Sequence, residues 1–172
     1  MSEKELILDI QSGNKESLNM LIEKYYQLIF GYFYKATGKY HQSKDLTQEV
    51  FIKMLTNISK YRYKTEFKNW IFTIASNHLK NYWRAIKRQP IYSNLEGDFI
   101  RVESNIEKVI KQSEITNALN LLPEEQRETI ILRYYSGFRI KEIAKITKSK
   151  ESTVKMRIKY GLEKLKKEME EL

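Results

Sequence analysis

Apolar residues recur along this chain at intervals of three and four, and strict alternation is convincing nowhere. That pattern predicts helices throughout. Leu6, Ile7 and Ile10 line one face of a first helix, which Gly13 closes as a left-handed terminator. A second helix runs from Lys15 to Thr37, carries Leu18, Leu21, Ile22, Tyr25, Ile29 and Phe33 on one stripe, and stops at Gly38. A third is expected to start at Ser43 as N-cap, with Asp45 in the first turn where the helix dipole favours an anion. Leu46, Val50, Met54 and Ile58 form its stripe. The fourth spans "TEFKNWIFTIASNHLKNYWRAIKR", with Phe67, Trp70, Ile71, Ile74 and Leu79 expected in the core. Tyr82 and Trp83 are adjacent, so they cannot both face the same way, and the pattern leaves open which of them is buried.

Periodicity then lapses. Residues 89–112 contain Pro90 and Gly97, and their first half has no helical spacing, which reads as a flexible linker whose end overlaps the next helix. Beyond it the spacing predicts a helix over Ile106–Leu121. Another begins at Pro123, whose missing N–H suits a first helical position, and stops at Ser136-Gly137. A short helix, Ile140–Thr147, and a long one, Glu151–Glu170, follow. The fold class is therefore all-α: a four-helix module over residues 1–88, a linker over 89–112 and a second helical module over 113–172.

Charge sharpens this picture. The formal net charge is +9, and residues 1–88 alone carry 15 basic against 8 acidic side chains. Such a surplus favours a polyanionic partner, although Lys-rich composition also arises from genome bias. With no cysteine, disulfides, thiolate metal sites and a cysteine nucleophile are excluded. His41 and His78 stand apart without ligand-like companions, and no phosphate-binding glycine loop occurs, so neither catalysis nor a metal or other cofactor is expected. The start of the sequence lacks the apolar stretch of a signal peptide, and no run is long enough to span a membrane; a cytoplasmic protein without membrane insertion is expected.

The last two helices, with the turn "TKSKES" between them, have the form of a DNA-binding helix-turn-helix. Ala144 is small where two helices would cross, Val154 would anchor the second helix, and Ser149 is a candidate cap. Between Arg139 and Lys167 lie 11 basic and 3 acidic residues, and Lys155, Arg157 and Lys159 avoid the anchor position. The competing reading is a helical hairpin whose basic face is merely solvated.

Taken in order, "DLTQEVFIKML", "FKNWIFTIASNHLKNYWR", "LPEEQRETIILRYYSGFRIKEIAKI" and "STVKMRIKYGLEKL" resemble the conserved segments of bacterial extracytoplasmic-function (ECF) sigma factors, the two-domain initiation factors of RNA polymerase. The resemblance covers nearly the whole chain. It departs in the helix-turn-helix turn, where Lys148 and Ser149 stand for a frequent Gly and aliphatic residue, and Thr147 for a common Leu.

The resemblance implies roles. Asp45, Gln48, Glu49 and Lys53 would dock on the clamp helices of core RNA polymerase, where the residues alone show only an exposed polar helix face. Tyr61, Lys64 and Phe67 would surround a flipped base of the promoter −10 element; Asn77 would hydrogen-bond a base, and Lys80, Asn81 and Arg84 would share a face along the upstream duplex. Lys150, Ser152, Thr153, Lys155, Arg157 and Lys159 would contact the −35 element, with Ser152 and Lys155 near bases and Arg157 and Lys159 on phosphates. Leu119, Leu122, Ile130 and Tyr134 would be mostly core, with part of that surface receiving the polymerase flap. Core polymerase, promoter DNA and an anti-sigma factor are thus the implied partners. The competing functions are a helix-turn-helix regulator acting without polymerase and a purely protein-binding adaptor.

Overall fold

The computed structural model describes residues 1–89 and 114–171. Among them there is no strand. The linker expectation, and the part of the Ile106–Leu121 helix before residue 114, lie outside the described residues.

The first module is built from α1 (Glu3–Gln11), α2 (Lys15–Thr37), α3 (Tyr40–Asn57) and α4 (Phe67–Arg88). Its termini are set locally. Ser2 caps α1 in a reciprocal capping box with Glu5, and the Asn14 side chain accepts from the backbone N–H groups of Glu16 and Ser17 to start α2. Gly38 ends α2 at φ +68°, a left-handed conformation that glycine adopts without the steric penalty of a Cβ. α3 departs from expectation. It begins at Tyr40 with Lys39 as N-cap, so Asp45 lies beyond the first turn. Ser43 is fully buried, and its hydroxyl donates to the Lys39 carbonyl (2.6 Å) and pairs with Thr37 Oγ1 (3.0 Å). A serine bonding back four residues inside a helix looks, in sequence, like a serine opening one.

The core of this module joins Ile7, Leu21, Ile29, Phe33, Val50, Met54, Phe67, Ile71 and Leu79. Trp70, expected in the core, is half-buried and leans on Tyr61 and Phe67 at centroid distances of 5.0 and 5.4 Å.

The second module comprises α5 (residues 114–120), α6 (Glu124–Ile130) running on into a π-helical turn (Ile131–Tyr135), α7 (Ile140–Thr147) and α8 (Glu151–Glu170). Pro123 is the N-cap of α6, one residue outside the helical position predicted for it. In the π-helical turn the Ser136 N–H reaches the Ile131 carbonyl at 3.0 Å, which lets the helix end on Ser136 and Gly137. α7 and α8 form the helix-turn-helix, with Ala144 and Val154 buried at the crossing as expected. Ser149 does not cap α8. Lys150 occupies the N-cap, while the Ser149 hydroxyl accepts from Arg157 at 2.7 Å.

The two modules pack against each other, and their apolar residues form one continuous core. Phe72 of α4 meets Phe138, just before α7, edge-to-face at 4.9 Å.

Candidate nucleic-acid and polymerase interfaces

The fourth helix has three faces, and its sequence reads as three interleaved stripes at helical spacing. Phe67, Ile71, Ala75 and Leu79 are buried in the first module. Asn77, Asn81, Arg84 and Arg88 are exposed, and Arg84 donates to the Asn81 side-chain oxygen at 3.1 Å. A third stripe, Asn69, Phe72, Ser76, Lys80, Trp83 and Lys87, turns toward the second module. Along it Asn69 meets Glu142 (3.3 Å), Ser76 meets Glu128 (2.5 Å), Lys80 donates to the Thr147 carbonyl (2.9 Å) and Lys87 pairs with Glu124 (2.7 Å). Trp83 is buried beneath the Arg127 guanidinium, 5.7 Å from its ring centroid, while Tyr82 stays half-exposed. This resolves the Tyr82/Trp83 alternative. It also separates Lys80 from the exposed face that holds Asn81 and Arg84.

The loop before α4 forms a pocket. Tyr61, Tyr63, Thr65, Glu66 and Phe67, with Glu3, Lys4 and Ile7 of α1, enclose about 280 Å³. Tyr61 and Phe67 are buried as its wall, and Tyr61 donates to the Thr65 carbonyl at 2.5 Å. Burial pushes the Tyr61 hydroxyl up to about 12, so it stays a proton donor at neutral pH. Tyr63 holds a left-handed φ of +57° and bonds the Lys4 carbonyl at 3.0 Å. Lys64 is exposed at the tip. Sequence reasoning missed Tyr63 and the α1 residues, because α1 reaches this loop only through tertiary packing.

On α3, Asp45, Gln48, Glu49 and Lys53 are all exposed, and Glu49 lies 3.3 Å from His78 Nδ1. Two apolar residues share this surface: Ile52 is 60% and Leu55 41% exposed. They are off the buried stripe, a signal that was available in the periodicity. Exposed apolar groups flanked by polar ones suit a protein partner better than DNA.

In the second module Lys150, Ser152, Lys155 and Lys159 are exposed, and Thr153 is half-buried. Arg157 differs. Its guanidinium bonds Ser149 and pairs with Glu125 at 2.6 Å, folded against its own module. Leu119, Leu122 and Ile130 are buried, whereas Tyr134 is 61% exposed. Leu119, Ile130 and Tyr134 border an apolar groove of about 450 Å³, completed chiefly by Leu162, Leu165 and Met169.

Among the described residues no cluster of side chains could hold a metal ion, and no helix is long and apolar enough to cross a membrane.

Comparison with known proteins follows the same division. The family model for sigma-70 region 2 matches residues 21–89, and that for sigma-70 region 4 matches residues 112–165. The ECF RNA polymerase sigma factor SigX of Bacillus subtilis is 30% identical over 91% of this chain and 85% of its own length. SigW of the same organism is 26% identical over 98% of this chain and 97% of its length. Among solved structures, CnrH in complex with the cytosolic domain of CnrY superposes with a TM-score of 0.73 at 19% identity, covering 96% of this chain and 95% of that one. The sigma factor RpoE in complex with the anti-sigma factor NepR, from Bartonella quintana, gives 0.71 at 21% identity, covering 88% and 96%. These two structures share the fold.

Proposed function

The chain belongs to the extracytoplasmic-function group of RNA polymerase sigma factors, and from that membership we propose how its surfaces divide the work of initiation. It binds core RNA polymerase in the cytoplasm, recognises the promoter −35 and −10 elements and assists melting; the chemistry of transcription belongs to the polymerase, and this chain is no enzyme. One observation carries the reading above the others. Matches to region 2 and region 4 follow each other in one chain, and each coincides with a module that leaves a polar helix face uncovered.

Residues 1–88 form the polymerase- and −10-binding domain, residues 89–112 the linker and residues 113–172 the −35-binding domain. The α3 face of Asp45, Gln48, Glu49 and Lys53 docks on the clamp helices, with Ile52 and Leu55 as its apolar anchors. The pocket beside Tyr61, Lys64 and Phe67 receives a flipped base, and Asn77, Asn81 and Arg84 track the adjoining strand. Lys80 joins them once it is free of the second module. Ser152 and Lys155 read −35 base edges near the start of the recognition helix, with Lys150 and Thr153 beside them and Lys159 on phosphate. Arg157 reaches phosphate only by leaving Glu125. The groove beside Tyr134 receives the flap. The sigma factor RpoE, solved in complex with the anti-sigma factor NepR, supports such a partner for this chain as well.

A reconstituted promoter-opening assay tests the reading. Core polymerase with this protein is expected to yield specific transcripts and permanganate-reactive thymines near −10. Tight operator binding without polymerase recruitment would instead make the chain a helix-turn-helix regulator.

A further inference from the structure

The pocket before α4 is completed by an element that the region 2 match leaves out. That match starts at residue 21, whereas α1 ends at Gln11. Yet α1 supplies Glu3, Lys4 and Ile7 to the pocket and fixes the loop that forms its other wall. Gln11 Nε2 donates to the carbonyls of Ile58 (2.8 Å) and Tyr61 (3.1 Å), and Tyr63 Oη donates to the Lys4 carbonyl (3.0 Å). Glu3 is held in turn by α2, where Lys24 and Tyr25 both donate to its Oε2 at 2.6 Å. The left-handed φ of Tyr63, costly for a residue with a Cβ, is sustained by this attachment.

The pocket is rich in acceptors and poor in donors. The hydroxyls of Tyr61 and Tyr63 are spent on backbone carbonyls, so what these residues offer a ligand is ring surface. Glu3 and Glu66 bring carboxylates to the lining. Glu66 is exposed and stands at the N-cap of α4, but its side chain makes no capping bond. Burial raises the Tyr61 hydroxyl, and Tyr63, Glu3 and Glu66 add to the rise, so both carboxylates are felt at this wall. The lining cation, Lys4, lies over the Tyr63 ring, 5.7 Å from its centroid. Lys60 and Lys64 are exposed on either side of the loop in sequence. A strand can keep its phosphates beside these lysines and present only a base to the carboxylates.

A carboxylate accepts hydrogen bonds and donates none. A flipped base shows its Watson–Crick edge, where adenine, cytosine and guanine each carry an exocyclic amine. Thymine has a single ring N–H between two carbonyl oxygens, which a carboxylate repels. Beside aromatic walls that repulsion is weakly screened.

We propose that this pocket, completed by α1, takes an amine-bearing base and discriminates against thymine, with Glu66 as the specificity-determining residue. The inference rests on the base-capture reading given above and names the class of base captured.

Holoenzyme reconstituted with the full-length protein tests it, on a promoter recovered from genomic fragments that this holoenzyme transcribes. Mismatches hold the −10 region open, so a non-template base can be changed without altering pairing. An abasic scan first marks the positions whose base is needed. At one of them thymine should bind about tenfold or more weakly than the best of adenine, cytosine and guanine, and those three arms identify which amine is read. Glu66→Gln offers a donor as well as an acceptor, so it should narrow the thymine penalty to about twofold. The proposal is overturned if thymine matches the best base at every position the abasic scan marks, or if Glu66→Gln folds and leaves the penalty intact. Should Glu66→Gln fail to fold, the base series on the parent protein decides alone. If transcription is specific but no abasic site weakens binding, the base-capture reading falls and this inference with it; a marked position indifferent to thymine overturns this inference only.

Discussion

Lys148 shows what a single residue can cost here. It takes φ +55°, ψ +44° in the turn between α7 and α8, a conformation in which a Cβ crowds the following carbonyl. The turn tolerates it because the Ser149 N–H reaches the Ala144 carbonyl at 2.9 Å, and the buried Thr147 hydroxyl bonds the Ile143 carbonyl at 2.8 Å. Lys148→Gly is expected to stabilise the chain by about 0.5–1 kcal/mol, the left-handed penalty less the added freedom of the unfolded chain. Urea denaturation with an unchanged slope would measure it, and a loss of stability would show that the Lys148 side chain contributes packing. The unusual turn was legible in the sequence, because Lys stands where a Gly is frequent. How the turn is satisfied was not, since a serine before a helix looks the same whether it caps that helix or receives an arginine from eight residues on.

At the scale of an element, α3 and α4 differ in how much of their faces the sequence disclosed. On α3 the exposed stripe follows from the buried one, and only its start was misjudged, through Ser43. Ile52 and Leu55 on that stripe should matter to binding and not to folding. Replacing both with Ala is expected to weaken polymerase binding by roughly tenfold or more if they are anchors, with stability changed by about 0.5 kcal/mol or less. Titration against core polymerase alongside thermal melts checks both halves, and unchanged binding would confine docking to the polar residues. On α4 the core stripe was legible, but the stripe facing the second module was not. Its members are polar, aromatic and basic by turns, so no hydrophobic period marks it, and Lys80 and Lys87 resemble any solvated cation until their acceptors are known.

For the whole molecule, closeness between the modules has a steric marker. A Cβ built on Gly31 of α2 would fall 1.9 Å from Tyr135 Oη, and the Lys35 ammonium sits over the same ring at 4.0 Å. Gly31→Ala should strengthen α2 as a helix yet push Tyr135 aside and loosen the contact between the modules. Adding Tyr135→Ala should restore compaction. Radii of gyration from small-angle scattering would show the single variant larger and the double variant near the parent; equal radii for all three would mean that the Tyr135 ring swings clear without cost. Such non-additivity is the mark of direct contact.

The sequence by itself determined the helices, the two-module order, the helix-turn-helix anchors and the family resemblance. Each is written in local spacing: the 3.6-residue repeat, caps, glycine stops and motifs read along one segment. Tertiary structure decided what the two modules do to each other. Glu128 meets its donors from 96 and 52 residues away, and Lys80 meets Thr147 from 67. It also decided that Trp83 is buried and Tyr82 is not, because Arg127 of the second module lies over the Trp83 ring. Partners so distant in the chain leave no periodic trace, and a charge that is engaged reads in sequence as a charge that is free.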